Sequence, residues 1–240
     1  MNLVIDSGNT RFKVGLFEGP EPRQKEFFTE ATQLQSWLKN KVFDHALVSS
    51  VNHDSAQILS WCSVVGKKIQ LDASLALPIQ IKYASPTTLG VDRIAAACGA
   101  YEMFPDKNCL VIDAGTCINY EFLDQRKSYL GGAISPGIRI RFESMHTFTS
   151  RLPLLKPIHN PALIGDTTES CMQSGVINGV VAEVNGIIES YRAKYPELRV
   201  ILCGGDYQFF ENKLKHPIFV APDLVLSGLN RILRYHAEIG

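Results

Sequence analysis

Near its start the chain carries Leu3-Val4-Ile5, a short β-branched run closed by Asp6, Ser7 and Gly8, and a second strand-like run follows at residues 12–17. That pattern predicts strand, tight turn, strand, with Asp6 at the mouth of the turn. It returns 107 residues later. Leu110-Val111-Ile112-Asp113-Ala114-Gly115 matches the first run at five of six positions, and residues 118–123 repeat the second strand. Between and beyond these hairpins the pattern alternates between the two periods. Helices are predicted over 32–41, 55–65, 90–103, 138–147 and 224–235, and strands over 46–51, 68–71 and 200–203. Residues 169–194 read as a long helix or a helix pair interrupted by Gly175, Gly179 and Gly186. Residues 73–88 and 152–162, rich in proline, read as loops, and Gly131-Gly132 precedes a turn at Pro136-Gly137. Alternating helices and strands predict an α/β fold. The repeated opening hairpin predicts two related subdomains, 1–107 and 108–240, each a mixed sheet flanked by helices, with no flexible linker between them.

Length and charge narrow the function classes. The 240 residues suit one large domain or two small ones. Lys and Arg number 24 and so do Asp and Glu, which leaves no global field to hold the chain on nucleic acid or an anionic membrane; any phosphate must be bound locally. No apolar run reaches the roughly 18 residues that span a bilayer. The first residues lack the basic start of a signal peptide, and the six cysteines show no metal-ligand spacing, so a cytoplasmic, reducing setting is expected.

Several short segments could carry chemistry. In Asp6-Ser7-Gly8-Asn9-Thr10, the Gly and Asn tolerate positive φ and can aim backbone N–H groups at one anion, with Lys13 just beyond. Asp6 cannot face a phosphate without a cation between them, which implies Mg²⁺ or a metal-bound water. The plainer alternative is an ordinary hairpin turn. Asp113-Ala114-Gly115-Thr116 is expected to repeat the geometry, and two such turns facing one cleft would grip a polyphosphate from both sides. Gly90-Val91-Asp92-Arg93 opens an Ala-rich helix. Asp92 there either stabilises the helix start or accepts a hydroxyl proton, with Arg93 for an anionic group and Tyr83 lining the same pocket. Asp166 and Glu169 have capping-box spacing, which makes Thr168 a helix-start residue or a hydroxyl contact. Leu202-Cys203-Gly204-Gly205-Asp206 lets a flat ligand approach backbone, or is a common strand-to-helix turn. No P-loop, dinucleotide fingerprint, zinc-protease helix or nucleophile elbow is present.

Taken in order, DSGNT at 6–10, GVDR at 90–93, DAGTC at 113–117, GGAISPG at 131–137, GDTTES at 165–170 and CGGD at 203–206 resemble the type III pantothenate kinases, of the superfamily of acetate and sugar kinases, heat-shock chaperone ATPases and actin. The resemblance implies two actin-like (ribonuclease H-like) subdomains and transfer of phosphate from ATP to pantothenate, the first step of coenzyme A biosynthesis. It assigns Asp6, Ser7, Gly8, Asn9, Thr10, Arg11, Phe12 and Lys13 to ATP phosphates and the Mg²⁺ shell, with Thr116 as a further ATP contact. Asp92 becomes the proton acceptor, and Tyr83, Gly90, Val91, Asp92, Arg93 and Thr168 the pantothenate pocket. Asp113 is associated with K⁺ or NH₄⁺, and the glycine-punctuated helix with a homodimer surface. Cys117 stands where the family more often has Ala or Thr. Two rivals are another kinase or phosphatase of the superfamily, which need not share GVDR, and a non-enzymatic nucleotide-sensing relative, which would not need Asp92.

Overall fold

A computed structural model of the chain describes residues 1–8, 10–50, 53–72 and 74–239. The elements in chain order are β1 (Asn2–Ser7), β2 (Phe12–Glu18), β3 (Glu21–Phe28), α1 (Ala31–Leu38), β4 (Val42–Phe43), β5 (Ala46–Ser50), α2 (Ser55–Ser60), β6 (Ser63–Val64), β7 (Lys68–Gln70) and β8 (Gln80–Ile81). They continue with α3 (Val91–Met103), β9 (Cys109–Ala114), β10 (Cys117–Leu123), β11 (Ser128–Pro136), α4 (Ile138–Phe148), α5 (Thr168–Lys194), β12 (Arg199–Cys203), α6 (Tyr207–Phe210), β13 (Phe219–Val220) and α7 (Leu224–Glu238).

The chain divides into two units: residues 1–106 with 123–130 and 223–240, and residues 107–122 with 131–222. The first holds a sheet of order β3-β2-β1-β5-β7, in which β1 pairs antiparallel with β2 and parallel with β5. Leu3, Val4 and Ile5 are fully enclosed because this central strand is covered on both faces, which is why its sequence is a continuous apolar run. Leu3, Ile5, Val14 and Val48 meet Leu34, Leu38 and Ile58 of α1 and α2 in one cluster. α7 and α3 pack on each other and on the sheet. Their backbones touch: a Cβ at Gly228 would collide with the carbonyl of Ala95, and Ala95, Ala96 and Ala97 are buried small residues on the facing helix.

The second unit repeats the order. Its strands run β11-β10-β9-β12-β13, so each unit has a three-strand meander whose first strand lies beside two later strands. Leu110, Val111 and Ile112 are enclosed like their counterparts in β1, and β9 pairs parallel with β12. β8 adds to the start of β11, where Gln80 and Ile81 pair with Ser128 and Tyr129.

Several expectations are revised. A single cut near residue 108 does not describe the units, because α7 returns to the first one, where its apolar stripe covers α3 and β1. The helix expected over 55–65 ends at Ser60, and Ser63-Val64 pairs with β4 instead. The strand over 46–51 ends at Ser50; Val51 lies outside the described residues, as does Ala73 at the start of the first loop. That loop carries β8. Residues 169–194 form one helix, not two, because Gly175, Gly179 and Gly186 fall on its exposed side, where they cost propensity without breaking hydrogen bonds. The loop at 152–162 is indeed without regular structure, and α5 pins it: Gln173 accepts from the Ile158 N–H at 3.1 Å and donates to the Lys156 carbonyl at 2.7 Å.

Candidate active site

Asp6 lies near the end of β1, only 6% exposed, directly opposite Lys13 in the antiparallel register. The Lys13 Nζ stands 3.5 Å from its Oδ2. Burial pushes the Asp6 carboxyl up, Lys13 opposes that, and the charge of Asp92 adds to the rise. Carboxylates from β1 and from the first turn of α3 therefore feel each other within the first unit. A low-dielectric pair of like charges with one distant lysine is a setting that a cation relieves. The neighbouring Ser7 hydroxyl is enclosed and lies 3.0 Å from His53 Nδ1, whose ring packs 4.9 Å from that of Phe12. In the turn, the Gly8 N–H donates to the Arg11 carbonyl at 3.2 Å, Thr10 is exposed, and the Arg11 guanidinium lies 4.8 Å from the Phe27 ring. Asn9 lies outside the described residues.

Gly90 is the N-cap residue and supplies no side chain; Asp92 sits in the first turn and its Oδ1 accepts the Arg93 N–H at 2.9 Å, so it does stabilise the helix start. Gly90 is what lets the carboxylate sit there, since a Cβ at 90 would come 2.5 Å from Asp92 Oδ1. Arg93 is buried with its guanidinium 5.6 Å from the Tyr83 ring, and Tyr83 lies 6.1 Å from Tyr129. The β8–β11 pairing sets that loop: the Lys82 N–H donates to the Tyr129 carbonyl at 2.9 Å. Tyr83, Gly90, Val91, Asp92 and Arg93 thus share the first unit with Asp6 and Lys13.

The second hairpin is not a copy of the first. Four residues, 8–11, separate β1 from β2, whereas only Gly115 and Thr116 separate β9 from β10. The Gly115 N–H closes on the Cys117 carbonyl at 2.9 Å, and the exposed Thr116 offers its carbonyl to the Gly137 N–H at 3.0 Å. Asp113 pairs in register with Cys203 of β12. Beyond that pair Gly204 takes φ +91, and a side chain there would collide with Asp113 Oδ1 and the Ala114 carbonyl. Gly204 therefore lets the backbone after β12 pack directly against the Asp113 carboxylate and the Ala114 carbonyl. Asp206 donates its N–H to the Ala114 carbonyl at 2.9 Å; burial pushes its own carboxyl up, with Arg139 opposing.

Thr168 belongs to the second unit, at the first turn of α5. It lines a cleft of about 530 Å³ with Asp166, Thr167, Cys171 and Met145. The capping box there is Thr167 with Ser170, one residue later than the Asp166–Glu169 spacing predicted, because Ser170 returns its hydroxyl to the Thr167 N–H at 2.8 Å. Sequence reasoning also passed over Arg141, which donates to Glu183 at 2.7 Å, to Ser135 Oγ at 2.8 Å and to the Pro136 carbonyl at 2.8 Å, and so holds the Ser135-Pro136-Gly137 turn. His53 and Ser49 were missed for a different reason: each is a single polar residue whose neighbours appear only once the strands are paired.

A family model described as type III pantothenate kinase matches residues 2–190. The chain belongs to that family. The kinase is 42% identical over 240 residues to the type III pantothenate kinase of Christiangramia forsetii, covering 98% of this chain and 99% of that one. It is 41% identical over 239 residues to that of Bacteroides fragilis, covering 98% of each. Among solved structures, a Baf family transcriptional activator from Campylobacter jejuni superposes with a TM-score of 0.67 at 21% identity, covering 98% of this chain and 99% of that one. An activator of 2-hydroxyisocaproyl-CoA dehydratase from Clostridium difficile gives 0.53 at 11%, covering 99% and 94%. The likeness to these two structures shows a shared mixed α/β fold. Among the described residues no helix is long and apolar enough to cross a membrane, and no three His, Cys, Asp or Glu side chains converge as a ready-made metal cage. Mg²⁺ in nucleotide sites usually takes one or two carboxylates plus phosphate oxygens and water, which the Asp6 setting fits.

Proposed function

We propose that the kinase transfers the terminal phosphoryl group of ATP to the primary hydroxyl of pantothenate, giving 4′-phosphopantothenate and ADP, in the cytoplasm. The observation that carries this reading is the placing of Asp92 at the start of α3 beside the buried Arg93 and Tyr83, in the same unit as the buried Asp6–Lys13 pair. Asp92 accepts the proton of the attacking hydroxyl as its oxygen bonds to phosphorus and the bond to the bridging oxygen of ADP breaks. Phosphoryl transfer asks the protein mainly for alignment and charge neutralisation. The 8–11 turn would face the phosphates, Lys13 would add a positive charge, and Asp6 would hold the hydrated metal. Mg²⁺ would neutralise charge on the phosphate oxygens. Tyr83, Gly90, Val91 and Arg93 form the acceptor pocket of the first unit, Arg93 answering the pantothenate carboxylate. Asp113, whose Oδ1 lies with the Ala114 carbonyl against Gly204, suits a K⁺ or NH₄⁺ ion.

The working form is a homodimer joined through α5. Gly175, Gly179 and Gly186 meet nothing within 4 Å, and the exposed Leu163 and Ile164 lie beside this helix, tied to it by Ser174, whose hydroxyl donates to the Leu163 carbonyl at 2.6 Å.

Asp92→Asn tests the chemistry. Asn keeps the shape and the acceptor for the Arg93 N–H but takes no proton, so turnover should fall by about 10²–10⁴ while the ligand-free melting temperature holds. Pantothenate-dependent ADP release at the wild-type rate in this variant would overturn the assignment. Wild-type protein that releases no ADP in response to pantothenate would overturn the reaction.

A further inference from the structure

Ser49 is 1% exposed, and among the described residues its Oγ is the one buried hydroxyl without a hydrogen-bond partner. A buried hydroxyl left unpaired is a net cost to the fold. Its position relates it to the site. Ser49 of β5 is the register partner of Asp6 in β1, and Asp6 is in turn the register partner of Lys13 in β2. The adjacent Val48 and Ile5 point together into the α1–α2 cluster, so strand alternation puts Ser49 and Asp6 on the opposite face. One row across three strands therefore reads Lys13, Asp6, Ser49. The neighbouring serines are engaged: Ser50 Oγ accepts the His53 N–H at 2.9 Å, and Ser7 Oγ contacts the His53 ring. Lys13 holds one side of Asp6 at 3.5 Å, which is long for a charged contact. On this side of the carboxylate stands a donor with nothing to donate to.

Resting on the phosphoryl-transfer reading above, we propose that Ser49 is a positioning residue for Asp6. When the Mg²⁺–nucleotide occupies the 8–11 turn, the Ser49 hydroxyl donates to the Asp6 carboxylate and holds it toward the metal shell. A hydrogen bond to a charged group is worth about a factor of ten in binding. The unsatisfied hydroxyl of the ligand-free fold is then the cost of a contact made only on loading.

The experiment is calorimetric titration of the full chain with Mg²⁺ and a non-hydrolysable ATP analogue, with thermal melts without ligand, on wild type, Ser49→Ala, Asp6→Ala and the double variant. Ser49→Ala should melt at or above the wild-type temperature and bind the analogue about 10-fold more weakly. In the Asp6→Ala background, which leaves the hydroxyl no acceptor at position 6, the same change should cost nothing further. Three results each overturn the proposal: wild-type affinity in Ser49→Ala, an equal extra loss in the double variant, or a Ser49→Ala melt several degrees lower, which would assign the hydroxyl to the fold. Wild-type protein that fails to bind the analogue would instead overturn the nucleotide reading itself, and the wild-type titration alone reveals that.

Discussion

Gly204 and Gly205 are adjacent glycines after β12 with opposite roles, and replacing each with alanine separates them. At Gly204 the backbone sits at φ +91, and a Cβ would collide with the Ala114 carbonyl, the Ala114 nitrogen and Asp113 Oδ1. A left-handed L-residue costs about 1–2 kcal/mol. Forcing an extra methyl into a packed site adds about 1–3 kcal/mol. The sum, about 2–5 kcal/mol, is a large part of an ordinary stability of about 5–15 kcal/mol. For a chain of this length it corresponds to a fall of roughly 5–15 °C in melting temperature. At Gly205 a Cβ meets nothing within 4 Å, so the same substitution should stay within about 0.5 kcal/mol of wild type. Melts followed by circular dichroism read both numbers. Gly204→Ala also presses on the Asp113 carboxylate, so the residual activity at low temperature should lose its dependence on K⁺ while Gly205→Ala keeps it. A Gly204→Ala protein that melts within 2 °C of Gly205→Ala (about 1 kcal/mol or less) would refute the reasoning, because neither the strain nor the collision would then be real.

Activity should be low in Na⁺ or Tris buffers and return in K⁺ or NH₄⁺; equal rates in all of them would remove the ion from Asp113. Arg141→Gln should lower stability at neutral pH by about 1–2 kcal/mol through lost charged hydrogen bonds. The sign with pH follows from Glu183: burial alone would raise its carboxyl, but hydrogen bonds from Ser135 and Arg141 hold it below its ordinary 4.5. Its contribution is therefore present above pH 4.5 and lost as pH falls through the lowered value, so acid melts of wild type and variant should converge there. Gly179→Glu, which puts a charge on the open side of α5, should give monomers in sedimentation experiments; a dimer unchanged at micromolar concentration would rule out that face.

The parts of the fold that were legible in the sequence are those where burial dictates residue type. β1 and β9 announced themselves because a strand enclosed on both faces must be apolar throughout, and α3 because small residues are needed where α7 touches it. β3 was missed for the opposite reason. Its sequence, EPRQKEFF, is mostly exposed at the sheet edge, so pairing with β2 and not hydrophobicity makes it a strand. The placement of α7 was beyond the sequence as well: its apolar stripe was readable, but the unit that receives the stripe is decided by tertiary packing. The site divides the same way. The residues in contiguous motifs, Asp6, Asp92 and Asp113, were visible as motifs. Ser49 carries no local signal at all, since its importance depends on which residue of β1 lies opposite it.

The repeated topology of the two units makes their difference in chemistry intelligible. Each has the same strand order and the same Asp-containing strand at its centre, so the backbone alone cannot assign different tasks to Asp6 and Asp113. Turn length and neighbours do. On the reading proposed above, the four-residue turn after β1 is the anion site; burial pushes the neighbouring Asp6 carboxyl up, and the charge of Asp92 on α3 adds to the rise. The turn after β9 has only two residues, and Gly204 packs backbone directly against Asp113. On the phosphoryl-transfer reading, a cation arriving with the nucleotide would offset the repulsion between Asp6 and Asp92 as well as the phosphate charge, so it should bind the first unit more tightly than a site with a single carboxylate. A ligand that binds only the folded chain stabilises it by an amount set by its own affinity, so that preference should be readable as a larger rise in melting temperature for wild type than for Asp92→Asn.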